Sequence, residues 1–67
     1  MKIVINGEAA AFDGDALSVR GILAAKGWSF PLIVVKINGR LVPRGDWDAA
    51  VAVDGDEVEA IHLVSGG

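Results

Sequence analysis

The 67-residue sequence predicts an α+β domain, a mixed β-sheet with one α-helix packed across it. Three observations carry that prediction. Asn6-Gly7 and Asn38-Gly39 each lie between two short apolar runs, the strongest short-range hairpin signal. Between the two hairpins, Leu17–Lys26 carries Val19, Ile22 and Leu23 at helical i, i+3, i+4 spacing. A third strand-rich stretch, Glu57–Val64, follows the second hairpin. The order is β-β-α-β-β-β, an α+β pattern in which the first and last strands are expected to be parallel neighbours beneath the helix.

Each element has its own warrant. Met1–Ile5 alternates, with Met1, Ile3 and Ile5 on one face and Lys2 and Val4 on the other. Asn6-Gly7 turns the chain into a second strand, Glu8–Phe12. Ser18 and Asp15 are rival N-caps for the helix, and Gly27 suits its left-handed C-terminus. Gly21 inside the helix costs about 1 kcal/mol against Ala, so either the helix tolerates it or something packs closely there. Leu32–Ile37 is the most β-branched stretch, with Ile33, Val35 and Ile37 inward and Lys36 outward. Asn38-Gly39 leads into a short strand at Arg40–Val42, ended by Pro43. Arg44–Ala50 reads as a loop with one helical turn, after which Val51 and Val53 are expected to return to the core. Asp54-Gly55 is a further turn, and its flanking carboxylates, Asp54 and Asp56, are explained by turn chemistry. In the last strand Val58 and Ala60 face inward and Glu57 and Glu59 outward. Ser65, Gly66 and Gly67 read as a flexible tail after a domain spanning 1–64.

Composition narrows the function. With no cysteine and one histidine, a disulfide framework is excluded and a zinc cluster nearly so. A chain this short has little room for a substrate cavity and a supported catalytic constellation. The net charge of −3 argues against nucleic acid as a partner, since phosphate binding needs clustered Lys and Arg. The longest apolar run, Phe30–Val35, falls far short of the roughly 18 residues of a membrane span. The N-terminal apolar run ends at Asn6-Gly7, too early for a signal peptide. These features predict a soluble, cytoplasmic protein with no membrane partner.

Gly66-Gly67 has no Cβ, so this segment can thread a narrow channel and present a carboxylate to another protein's active site. With the upstream pattern it carries a resemblance. Ile37-Asn38-Gly39, Val42-Pro43-Arg44, Trp47, Asp54-Gly55-Asp56-Glu57-Val58-Glu59 and Val64-Ser65-Gly66-Gly67 together resemble the ThiS/MoaD family of ubiquitin-like β-grasp sulfur carriers. The resemblance covers essentially the whole chain. Val-Pro-Arg, a Trp three residues after the Arg, and Asp-Gly-Asp point to the thiamine-biosynthesis branch over the molybdopterin-synthase small subunit. The longer Asp13–Leu17 segment and the apolar Trp28-Ser29-Phe30 depart from the family pattern.

The resemblance implies a sheet of order 2-1-5-3-4, counting the five strands along the chain. It implies a carrier and not an enzyme, with no catalytic residue, bound cofactor or metal of its own. An E1-like adenylyltransferase (ThiF-like) would use ATP and magnesium to adenylate the Gly67 carboxylate. A sulfur donor protein would convert it to a thiocarboxylate, and a thiazole synthase (ThiG-like) would receive the sulfur. The alternatives are a carrier for another pathway, molybdopterin or a specialised metabolite, and a non-activated ubiquitin-like interaction module.

In such a sheet the last strand lies between the first and third. Val4, Val34, Ile61 and Leu63 share the outward parity of the charged residues, so they are expected to form an exposed partner-binding patch beside the tail. Residues 1–43 carry five bases and three acids, and residues 44–67 one base and six acids. The acidic half either steers docking to a basic partner or simply keeps the sheet soluble. His62, Trp28 and Trp47 read as packing or solvated residues, and Arg44 as a loop-fixing residue.

Overall fold

The computed structural model describes residues 1–29 and 32–63. The expected segment Phe30-Pro31 and the expected tail from Val64 to Gly67 lie outside them. Strands β1 (Lys2–Ile5), β2 (Glu8–Ala11), β4 (Ile33–Ile37), β5 (Arg40–Val42) and β7 (Glu57–His62) form one five-stranded sheet of order β2-β1-β7-β4-β5. This is the expected order. β1 and β7 are parallel neighbours, Val4 opposite Glu57 and Ile5 opposite Val58. β4 runs antiparallel to β7, with Val34 opposite Ile61 and Lys36 opposite Glu59.

Two short strands were not expected. β3 (Ala16–Ser18) and β6 (Val51–Val53) pair antiparallel as a separate two-stranded sheet. The long Asp13–Leu17 segment thus supplies a strand before the helix. The register sets Leu17 opposite Ala52, and Ala52 is fully buried while Val51 and Val53 are 48% and 44% exposed. The expectation that Val51 and Val53 return to the core is therefore corrected. Strand parity admits only one face to the core, and the ladder with β3 gives that place to the small Ala52.

Helix α1 (Val19–Lys26) buries Val19, Ile22 and Leu23. Ser18 is the N-cap: its Oγ accepts the Gly21 N–H at 3.0 Å, a contact worth about 1 kcal/mol. Two further N–H groups of the first turn reach outside the helix, Val19 to the Ala50 carbonyl and Arg20 to the Trp47 carbonyl, both at 3.0 Å. The helix start is thereby tied to the loop and 3-10 turn of 44–50, and its free donors are satisfied. Gly21 sits in close approach to the side chain before the helix: a Cβ there would lie 2.7 Å from Leu17 Cδ1, and the Leu17 side chain would have to shift to admit it. Gly27 ends the helix at φ +72°.

The core between helix and sheet holds Ile3, Ile5, Val35, Val58 and Ala60 from the sheet, with Trp47 and Ala52 closing it from the loop side. Trp47 is 4% exposed, and its indole N–H donates to the Val42 carbonyl at 3.0 Å. Trp28 packs half-buried against the same cluster.

Candidate functional site

The two Asn-Gly turns fix β7, the strand that leads toward the C-terminal residues. Asn6 and Asn38 both adopt φ +51°, the left-handed conformation Asn tolerates better than most residues. Asn6 makes a two-way clasp on Ala60, accepting its N–H at 2.9 Å and donating to its carbonyl at 3.1 Å. Asn38 accepts the Glu57 N–H and donates to Asp56 Oδ1, both at 2.9 Å. Each residue therefore sets a hairpin and holds the central strand with its side chain.

Asp54 and Asp56 serve the turn, as expected. Asp54 accepts the Lys2 N–H at 2.7 Å, and Asp56 Oδ2 accepts the Val53 N–H at 2.9 Å. The Val53 N–H and the Asn38 amide hold the Asp56 carboxyl below its ordinary value of 3.8. A depressed folded pKa adds stability that is present above 3.8 and is lost as pH falls through the lower folded value. Because Asp56 lies at the surface, the gain is small. Asp56→Asn should therefore cost more stability at pH 7 than at about pH 3, as read from urea unfolding. An equal cost at both pH values would contradict the assignment.

The outer face of the sheet presents the apolar residues expected there, in a different grouping. Val34 and Ile61 are directly opposed. Leu63 N–H donates to the Leu32 carbonyl at 2.8 Å, which adds a second adjoining pair. Ile61 is 42%, Leu63 48% and Leu32 51% exposed. Val4 does not join them. It lies opposite Glu57, four positions or roughly 13 Å back along β7, with Glu57 and Glu59 between. The expected four-residue patch is thus corrected to Val34, Ile61, Leu63 and Leu32. The parallel register of β1 on β7 is the reason, because it sets Val4 beside the start of β7. Leu32 was legible from its shared parity with Val34. Leu41, 62% exposed and opposite Lys36, also faces outward near this patch.

The remaining candidates divide. His62 pairs with Ile33 on the ladder and is exposed. The Arg44 guanidinium lies 4.6 Å from the Trp47 ring centroid. Ser65, Gly66 and Gly67 lie outside the described residues. Among the described residues no three His, Asp or Glu side chains gather to hold a metal ion, and no helix is long and apolar enough to cross a membrane.

A small mixed sheet with its central strand clasped from both hairpins and one helix across it defines a ubiquitin-like β-grasp domain. The ThiS family profile matches residues 3–67. The chain belongs to the ThiS family. It is similar to the crystal structure of a thiamine biosynthesis protein (ThiS) from Geobacter metallireducens, with a TM-score of 0.86, 32% identity and full coverage of both chains. The solution structure of a thiamine biosynthesis protein from the same organism gives a TM-score of 0.79 at 32% identity, over 100% of this chain and 88% of that one. Two curated relatives, each named thiazole synthase, are 31% identical over all 67 residues. They come from Magnetococcus marinus and Paramagnetospirillum magneticum. The chain spans 20% of the length of those relatives.

Proposed function

We propose that this chain is the sulfur carrier of thiamine biosynthesis, a protein substrate and not an enzyme. The observation that supports it most is likeness over the full length to a thiamine biosynthesis protein, in both fold and sequence. The thiazole synthase relatives support a thiazole synthase as the sulfur acceptor, because this chain matches one segment within each of them.

The chemistry belongs to the residues from Ser65 to Gly67, following a domain of 1–64. A carboxylate is a poor electrophile, and its oxygen is a poor leaving group. An E1-like adenylyltransferase using ATP and magnesium joins the Gly67 carboxylate to the α-phosphate and releases pyrophosphate. Sulfide-level sulfur delivered by a sulfur donor protein then attacks the acyl carbon, the C–S bond forming as the C–O bond to AMP breaks, which leaves a thiocarboxylate at Gly67. Gly66 and Gly67 carry no side chain that would obstruct entry of the backbone into the partner's active site, and Ser65 precedes them in the chain. The patch of Val34, Ile61 and Leu63 supplies the docking contact beside that segment, as exposed apolar patches with a charged border commonly do. Val4, opposite Glu57 at the other end of the same face, stands outside this contact.

The test is ATP-dependent pyrophosphate release by an E1-like adenylating enzyme given this 67-residue chain. Release is expected with the full chain and none with a chain lacking Gly66 and Gly67. Absence of release with the full chain would overturn the reading in favour of a non-activated interaction module.

A further inference from the structure

Both asparagines of the chain precede glycine, Asn6-Gly7 and Asn38-Gly39, and the chain has no glutamine. An Asn before Gly is the side-chain amide most open to attack by the next backbone nitrogen, because Gly has no Cβ to shield it. At Gly7 and Gly39 alike an added Cβ would meet open space. The two main chains are also held alike: the Asn6 N–H donates to the Val58 carbonyl at 2.9 Å and the Asn38 N–H to the Glu57 carbonyl at 2.7 Å. The side chains are held differently. Asn6 clasps both backbone groups of Ala60, a buried residue in the middle of β7, through part-buried bonds. If it lets go, an N–H and a C=O within the sheet lose their partners. Asn38 instead bonds to the Glu57 N–H and the Asp56 carboxylate, both at the exposed surface. Water replaces those partners when the side chain leaves, so its release is easier.

We propose that Asn38 is a site of spontaneous deamidation and that the clasp on Ala60 protects Asn6. The Gly39 amide nitrogen gives up its proton to solvent and attacks Asn38 Cγ. A C–N bond forms there, the C–N bond to the side-chain amide breaks, and ammonia leaves. Water then opens the cyclic imide at either carbonyl, giving aspartate or isoaspartate. The new carboxylate stands where the Asn38 amide donated to Asp56 Oδ1 at 2.9 Å, so two like charges face each other. The isoaspartyl form also lengthens the main chain of a two-residue turn that sets the β4–β5 register. The change loosens the Ile37–Val58 end of the sheet, away from Ile61. The inference is independent of the sulfur-carrier reading, because it uses neither the C-terminal residues nor the docking patch.

Incubation of the intact protein at about pH 8 and about 37 °C, followed by peptide mapping by mass, tests it. Each event replaces an amide NH2 by OH and adds about 1 Da. In the native protein Asn38 should gain it about fivefold or more faster than Asn6, with isoaspartate appearing at position 38. In urea the two sites should react at equal rates, because Ile precedes and Gly follows each of them. A smaller native lead, a lead at Asn6, or the same ratio with and without urea would overturn the proposal. So would a native protein that gains mass at neither site while the chain in urea reacts at both.

Discussion

Replacing Ile61 by Asp should lower the rate of Gly67 adenylation by on the order of 30-fold or more, with the fold intact. Ile61 is 42% exposed on the outer face of the central strand, and its cross-strand neighbour is Val34. A carboxylate there stays in water in the free protein, so the cost to stability is confined to β-propensity, about 1 kcal/mol at most. On docking, that carboxylate would be buried against an apolar partner surface without a counter-charge, which is where the large penalty arises. Val4→Asp is the internal comparison. Val4 lies beside Glu57 and not beside Ile61, so its effect should be several-fold smaller. Steady-state pyrophosphate release against carrier concentration reads both variants. Unchanged kinetics in Ile61→Asp would remove the outer face from the docking account.

Trp47→Ala should cost about 3–5 kcal/mol, the usual loss for a fully buried aromatic. A 67-residue domain has a total stability of about 3–10 kcal/mol, so this one change removes a large share of it. The indole closes the core, donates to the Val42 carbonyl and carries two guanidiniums on its ring. Its backbone carbonyl also accepts the Arg20 N–H, which joins the loop to the helix start. Trp47→Phe keeps much of the apolar burial and loses the indole hydrogen bond, so it should cost about 1–3 kcal/mol. Urea unfolding followed by circular dichroism separates the two. A loss below about 1 kcal/mol in Trp47→Ala would show that the core does not depend on this residue.

The elements that depend on local chemistry were readable from the chain. Asn-Gly turns, the β-branched run at Ile33–Ile37 and the Gly27 stop each act within a few residues, and each stands where the sequence places it, whereas only the Gly21 N–H on Ser18 decides between Asp15 and Ser18 as the cap. The two short strands did not show, because three residues give no usable periodicity and their pairing joins positions over thirty residues apart. The same pairing decides the parity of Val51 and Val53. Apolar character alone favoured the core for both, and the ladder with Leu17 reserves that place for Ala52. The candidate docking surface follows the same rule. Val34 and Ile61 were legible because Lys36 and Glu59 mark the outward face of their strands. The separation of Val4 rests on the parallel register of β1 against β7, which no local signal encodes. Asn6 and Asn38 showed themselves as turn residues only, since their side-chain clasp on β7 needs the closed sheet.

The central claim is that Gly67 carries sulfur on the main chain. The most direct measurement is the intact mass of the chain after incubation with an E1-like enzyme, ATP, magnesium and a sulfide source. Exchange of one carboxylate oxygen for sulfur should raise the mass by about 16 Da, because acyl activation followed by attack of a sulfur nucleophile replaces one atom by the other. The gain should map to Gly67 and disappear on incubation with a thiazole synthase and its other substrates. An unchanged mass under conditions where the same enzyme loads another carrier would contradict the account.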